Sequence, residues 1–336
     1  MGFFSPVVLV AVAGTITGHP ITASVGPETK EFEFSYRATI RHIPAAAKTL
    51  QVWVPVPQAD DRQSIWDLKV TSPLPYREVT DSEYGNLALY FEAAARLPDS
   101  IPLLMTFRTR RSEVWPLPEN DTGRVVRDRI KRFLSPDALV PIDGKIAAEA
   151  LRVVTGHSGV RAKARALYDH ILATMRYDKT GTGWGKGDAV FACDERRGNC
   201  TDIHSLLIGM ARATGIPARF VMGFPIPENA AAGEIKGYHC WADLYIDGAG
   251  WVPVDASEAI RNPGKSGYYF GHVDDRRVAF TIGRDISLTG GGAAPKINYF
   301  IYPYVLVDGQ EFTDVVRKFE FRVVAESTAV NSSTAR

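Results

Sequence analysis

The sequence predicts an α+β protein in which a β-rich N-terminal region precedes a core built from a helix and an antiparallel sheet. Three observations predict it. Between Lys30 and Glu113, short runs alternate apolar and polar residues, the period of half-buried strands. From Val160 to Met175, and again from Cys200, apolar residues recur at spacings of three, four and seven, the period of a helix. After Pro217, strand-like runs return, and Asp-Gly pairs between them read as hairpin turns.

The N-terminal strands are legible one by one. Phe32-Glu33-Phe34-Ser35-Tyr36 alternates, and Leu50-Gln51-Val52-Trp53-Val54 repeats the pattern before Pro55. Tyr84-Gly85-Asn86 marks a turn ahead of Leu87–Phe91, and Leu103–Arg110 forms another candidate. Several short strands punctuated by Pro, Gly, Asn and Asp point to a small sandwich. Val114 to Thr122 holds two prolines among polar residues and reads as a linker.

Val125 to Phe133 is amphipathic and stops before Pro136. The Val160 helix follows, and beyond Tyr177 the chain becomes glycine-rich from Thr180 to Gly187. That loop lacks a Gly-Lys-Ser/Thr ending and a preceding strand, so it is not read as a phosphate cradle. The helix opened by Cys200 runs to about Thr214 and is closed by Gly215 and Pro217. Strands are expected at Ala218–Phe224, Tyr238–Ile246 and Trp251–Asp255, the last two joined at Asp247-Gly248. A further hairpin is expected at Asp308-Gly309, between Asn298–Val307 and Glu311–Ala325.

Composition narrows the function. The 336 residues are 45% apolar and 23% charged, as in a globular protein, and are enough for two domains. A formal net charge of +1 gives no reason to expect nucleic acid or an anionic membrane surface as partner. Three cysteines, Cys193, Cys200 and Cys240, are too few for a disulfide scaffold. Phe3 to Ile16 is a short apolar run, too broken by Gly and Pro for a stable membrane span. It fits the centre of a secretory signal, with Ile21-Thr22-Ala23 as the candidate cleavage site, although no Lys or Arg precedes it. We therefore expect an exported protein, periplasmic or secreted. The expected parts are a signal peptide over 1–26, a β-rich domain over 27–115, a catalytic domain over 122–326 and a loose tail over 327–336.

Three segments carry candidate chemistry. Gly198-Asn199-Cys200-Thr201-Asp202 places a thiol at a helix start, where unpaired N–H groups and the positive helix end favour the thiolate. The plain alternative is a small buried hydrophobe. Gly237-Tyr238-His239-Cys240 opens a strand with a histidine, a base for that thiol or a hydrogen-bonded structural residue. Val254-Asp255 ends the neighbouring strand with a carboxylate that can hold the imidazole by its second nitrogen. Otherwise Asp255 is a turn residue or caps the Ala256–Ala259 segment. A hairpin centred on Asp247 sets Asp255 opposite His239, and a two-residue loop sets Ala256 there.

Together, RGNCTDIHSLLIGMARATGIPARFV and GYHCWADLYIDGAGWVPVDAS resemble the Cys, His and Asp blocks of bacterial transglutaminase-like proteins. The resemblance runs from Val160 to Glu258. It implies a transglutaminase-like, papain-like core after a sandwich-like N-terminal domain. It implies Cys200 as nucleophile, His239 as base and Asp255 as orienter of an enzyme that cleaves amides of peptides or proteins or transfers their acyl groups. The side chain completing the oxyanion hole is open among Trp184, Tyr177 and Asn199, the last also an N-cap. No Cys-x-x-Cys pair and no acidic loop of the EF-hand type occurs, so no metal and no cofactor is expected.

Alternatives stay open. His204, one turn after Cys200, is a rival base, though a packed structural histidine fits its place better. Cys193 and Cys240 are a candidate pair in an oxidising compartment. A metal site from Cys200, His204, His239 and Cys240 is disfavoured because neighbouring residues on a strand face opposite ways. The chain could also be a silent binding or assembly protein on the same fold. The sequence leaves oligomeric state, substrate, and hydrolysis against transamidation undecided.

Overall fold

The computed structural model describes residues 28–94, 96–114, 130–292 and 296–328. The expected signal peptide, most of the linker, the start of the Val125–Phe133 helix and the end of the tail lie outside the described residues. What is described of that helix, Lys131–Leu134, is a single 3-10 turn.

Six strands come first: β1 (Glu28–Ile40), β2 (Thr49–Pro55), β3 (Gln63–Thr71), β4 (Tyr76–Thr80), β5 (Leu87–Ala94) and β6 (Ile101–Ser112). Helices Gly144–Val154, Val160–Thr174, Ala189–Glu195 and Cys200–Ala213 follow, with the short pair β7 (Arg176–Tyr177) and β8 (Arg197–Gly198) among them. Next are β9 (Ala218–Pro225), β10 (Ala232–Ile235), β11 (His239–Ile246), β12 (Gly250–Val254) and the helix Ala256–Arg261. The chain closes with β13 (Arg277–Ile282), β14 (Ile286–Ser287), β15 (Lys296–Ile297), β16 (Tyr304–Val307), β17 (Gln310–Glu311) and β18 (Val315–Thr328).

Two five-stranded sheets hold the N-terminal strands, in the orders β10-β18-β1-β6-β3 and β17-β16-β2-β5-β4. Neither closes without the C-terminus. β18 pairs antiparallel with β1 from Ile40↔Val315 to Glu28↔Thr328, and β16 pairs with β2. The sequence reading grouped these last strands with the catalytic segment; their hydrogen bonds go to the N-terminal one. The reason is the alternation of β1. Phe32, Phe34, Tyr36, Ala38 and Ile40 are all buried on one face. That face needs cover on both flanks and above. Phe319 of β18 packs edge-on against Tyr36 at 4.7 Å, and Phe224 of β9 and Phe280 of β13 lie 5.5 and 5.7 Å from Phe34. Each such ring contributes about 1.5–3 kcal/mol on burial, so one aromatic core joins the N-terminal sheet to the catalytic sheet.

The expected Asp308-Gly309 hairpin is present. Val307 pairs with Gln310, and both turn residues have positive φ, 48° and 75°, as the tight two-residue turn requires. The hairpin is short, because the chain leaves after Glu311 and crosses to the other five-stranded sheet as β18.

The four-stranded sheet that carries His239 has the order β12-β11-β9-β13. The helix Cys200–Ala213 lies between this sheet and the other helices, and every residue from Cys200 to Arg212 is buried. A helix buried on all sides is central, and its polar residues, among them Asp202, His204 and Arg212, must find partners inside the protein. The register of the β11–β12 hairpin differs from both expected ones. Ile246 pairs with Gly250 and Ala242 with Val254, leaving a three-residue loop at 247–249. This register carries Trp241, not His239, to the level of Asp255. Ala249 is the extra loop residue, and the positive φ falls on Gly248 (83°), as in the expected two-residue turn.

Candidate active site

The position of Cys200 is built by a cap. Asn199 Oδ1 accepts the N–H groups of Thr201 (2.9 Å) and Asp202 (3.4 Å), and the Asp202 carboxylate accepts the Asn199 N–H at 3.1 Å. This reciprocal box fixes the helix start and leaves Cys200 as its first residue. Asp202 also accepts the N–H groups of Gly185 (2.7 Å) and Gly187 (2.9 Å), so the glycine-rich loop is strapped to the helix start. The approach is close enough to require glycine before the cap: a Cβ on Gly198 would stand 2.5 Å from Asp202.

His239 opens β11, and its Nε2 lies 2.7 Å from Asp255 Oδ2. The register offset is absorbed because pairing ends at Ala242↔Val254 and the chain turns at Asp255 into the helix Ala256–Arg261. Asp255 caps that helix, accepting the Glu258 N–H at 3.0 Å and the Ser257 hydroxyl at 2.9 Å on Oδ1. Asp255 thus caps the helix with one oxygen and contacts the His239 ring with the other. With Nε2 spent on Asp255, Nδ1 of His239 is the nitrogen left for sulfur, and Cys200 and this ring shift each other's protonation.

The electrostatics follow from the contacts. A hydrogen bond from Cys240, and then the His239 imidazole, hold the Cys200 thiol well below its ordinary range against the opposing effect of burial. Burial also opposes charge on His239, but the Asp255 carboxylate and Cys200 outweigh it and push the imidazole up to about 10. Burial disfavours the Asp255 carboxylate, yet the charges of His239 and Arg277 keep it well below the usual carboxylate range. The arrangement thus favours a thiolate–imidazolium pair on an ionised carboxylate.

Cys240 and His204 lie beneath. His204 is fully buried, and its Nε2 accepts the Ala256 N–H at 3.1 Å, which requires the neutral tautomer. Burial also pulls its basicity down. His204 joins the nucleophile helix to the Asp255 turn, which is a packed structural place. Cys240 Sγ lies 3.8 Å from His204 Nδ1. Cys240 and its neighbour His239 both act on the protonation of the Cys200 thiol. All three cysteines are free thiols, and Cys193 sits apart beside Glu149 and Arg196. The candidate Cys193–Cys240 bridge is not formed, because the packing gives Cys240 a different sulfur as neighbour. Among the described residues, no group of three or more His, Cys, Asp or Glu side chains is disposed to hold a metal ion.

A cleft of about 730 Å³ opens beside His239, which lines it with Tyr177, Tyr238, Arg277 and a mixed-charge rim including Lys265 and Glu234. His239 is 7% exposed, Cys200 3% and Asp255 not at all, so access narrows from base to orienter. Of the three oxyanion candidates, Tyr177 lines this cleft. The Trp184 indole N–H donates to Gly181 O at 3.1 Å, and Asn199 is engaged in the cap, its amide N–H donating to the Tyr238 hydroxyl at 3.3 Å. The sequence reading missed Tyr238, whose hydroxyl also lies 2.9 Å from Thr201 Oγ1 and so stands beside both neighbours of Cys200. It also missed Arg277, which donates to Asp255 Oδ2 at 2.9 Å. The one signal for Arg277 is a charged residue opening an otherwise apolar strand, RVAFTI.

A thiol at a helix start, facing a histidine at the head of an antiparallel strand with a carboxylate behind it, defines a cysteine-containing α+β fold of the papain-like kind. Residues 147–256 match the family model of the transglutaminase-like superfamily. An uncharacterized protein of Haemophilus influenzae is 24% identical over 298 residues, covering 77% of this chain and 80% of its own length. One of Mycobacterium leprae is 27% identical over 169 residues, covering 48% of this chain and 53% of its own length. The crystal structure of a candidate cysteine protease from Cytophaga hutchinsonii is similar in fold, with a TM-score of 0.55 at 19% identity, covering 88% of this chain and 98% of that one.

Proposed function

We propose that this protein is a cysteine-dependent acyl-transfer enzyme acting on amide bonds of peptides or proteins, with Cys200 as nucleophile, His239 as acid–base and Asp255 as orienter. The observation that carries this reading is the 2.7 Å contact of His239 Nε2 with Asp255 Oδ2, on a ring that lines the cleft and lowers the Cys200 thiol. The Cys200 thiolate attacks the amide carbonyl carbon, and the developing oxyanion is met by the N–H of Cys200, which has no acceptor inside the helix. The C–N bond breaks as imidazolium gives its proton to the leaving amine, leaving a thioester. His239 then takes a proton from water, whose oxygen attacks the thioester; a carboxylic acid leaves and the thiol is restored. An amine in place of water would give a new amide. The open cleft admits water, which favours hydrolysis.

Export to the periplasm or medium belongs to the same reading, carried by the apolar run at Phe3–Ile16. Among the described residues, no helix is long and apolar enough to cross a membrane. The N-terminal sheets would then hold the peptide or protein substrate near the cleft or present a partner.

Two measurements test the reading. Iodoacetamide at pH 5–6 should label Cys200 selectively, since an ordinary thiol is protonated there. Labelling no faster than a free thiol moves the weight to a silent binding protein. Incubation with glutamine-containing peptides, with and without a primary amine, then separates cleavage, deamidation and transamidation by mass spectrometry.

A further inference from the structure

We infer that Arg277 is a positioning residue of this site, a fourth member that holds Asp255 in register and sets the pH window in which the Cys200–His239 pair is charged. The inference rests on the acyl-transfer reading above.

Three observations carry it. Arg277 is buried at the head of β13, and its Nη1 donates at 2.9 Å to Asp255 Oδ2, the same oxygen that faces His239. Its other face pairs with Asp274, and the guanidinium lies over the Trp241 ring, 5.0 Å from the centroid. The fork is therefore fixed by a carboxylate on each side and an aromatic plane, the geometry that distinguishes Arg from Lys. Asp255 in turn has every acceptor direction occupied: Ser257 and Glu258 on Oδ1, His239 and Arg277 on Oδ2.

The charge balance gives the sign. A buried thiolate, imidazolium and carboxylate carry one net negative charge, and Arg277 cancels it. Removing Arg277 makes each proton harder to lose. The pH at which Cys200 becomes thiolate rises, and so does the pH at which His239 loses its proton. Both edges of the charged window move to higher pH. Mere loosening of the site lowers the rate at every pH and moves neither edge. Other titratable groups facing the pair and Asp255 include His204, Cys240, Tyr177, Tyr238, Tyr302, Tyr168, Tyr269 and Asp202, and Arg111 stands behind Arg277. None of these offers Asp255 a second full positive charge in hydrogen-bond contact.

The test is the rate of Cys200 alkylation by iodoacetamide from pH 4 to 10, in wild type, Arg277→Met, Arg277→Lys and Asp274→Asn, each checked for folding by circular dichroism. Arg277→Met should move the acid edge up by about one pH unit and lower the plateau. Arg277→Lys, which keeps the charge but not the fork, should restore the edge and not the plateau. Asp274→Asn at the rim should move the edge the opposite way, and it carries the test if Arg277→Met fails to fold. Edges that stay at the wild-type pH in the folded variants overturn the inference. Wild-type protein without fast labelling below neutrality instead sinks the nucleophile reading itself, a separate outcome.

Discussion

The molecule holds two clusters of the same four kinds of side chain, and they differ in the order of their hydrogen bonds. In one, Cys200 meets His239, His239 meets Asp255, and Asp255 meets Arg277. In the other, Glu149 is the hub. It pairs with His170 at 2.5 Å and Arg196 at 2.7 Å, and the Cys193 thiol donates to it at 3.3 Å. Both cysteines are buried. Where the thiol faces imidazole, the proton has somewhere to go and the thiolate gains a cation. Where it faces a carboxylate, the thiol must stay a donor, and burial together with Glu149 pushes Cys193 up to about 11. Composition alone does not make a nucleophile; the identity of the group in contact with sulfur does.

The hardest test of that contrast is to remove each sulfur. Cys200→Ala should abolish turnover of any peptide substrate, a loss of about 10³-fold or more, while Cys193→Ala should leave the rate within about twofold because its thiol takes no part. Equal losses in the two variants, measured by mass spectrometry of products, would collapse the distinction. His239→Ala comes next. With no imidazole to take the proton, Cys200 labelling at pH 5–6 should fall about 10²–10⁴-fold, and labelling that survives would make His204 or the helix end the source of activation.

The pH axis sharpens the same contrast. Cys200 should label well below neutrality, and Cys193 only as pH approaches about 11. Turnover should fail at the alkaline end as His239 loses its proton near 10. The linkage has a defined sign. A histidine whose basicity rises on folding adds stability that is complete below its unfolded value of about 6.5 and is lost as pH rises through about 10. Thermal unfolding of wild type and His239→Gln should therefore differ most below neutrality and converge toward pH 10. A constant difference across that range would mean that the charge on His239 contributes nothing.

The sequence made the three site positions legible because each lies at an element boundary that local chemistry marks. Asn199 before Cys200 is a cap, a polar-to-apolar change opens β11 at His239, and Asp255 precedes a helix. The β11–β12 register was not legible, because an Asp-Gly-Ala loop and an Asp-Gly turn read alike until cross-strand packing chooses. Nor was the joining of β18 to β1. Both strands alternate, but alternation does not name the partner, and Val315, which pairs with Ile40, lies 275 positions further along the chain. Arg277 was hidden for a related reason: an arginine is buried only if distant carboxylates meet it, and Asp255 and Asp274 do so through folding.

The smallest expected effect concerns the inert cluster. Glu149→Gln removes the carboxylate that Cys193 faces but leaves the burial, which is the larger cause of its raised value. Labelling of Cys193 at pH 9 should rise only severalfold, well short of Cys200. The same change strips ionic partners from His170 and Arg196 and so loosens the contacts among the helices Gly144–Val154, Val160–Thr174 and Ala189–Glu195. Because Arg196 is partly exposed, solvent screens part of that loss, and the cost should be about 1–2 kcal/mol, read as a lower melting temperature. If the variant instead made Cys193 as reactive as Cys200, the neighbouring carboxylate alone would have been silencing it. The imidazole in the other cluster would then be needed for proton transfer but not to generate the thiolate.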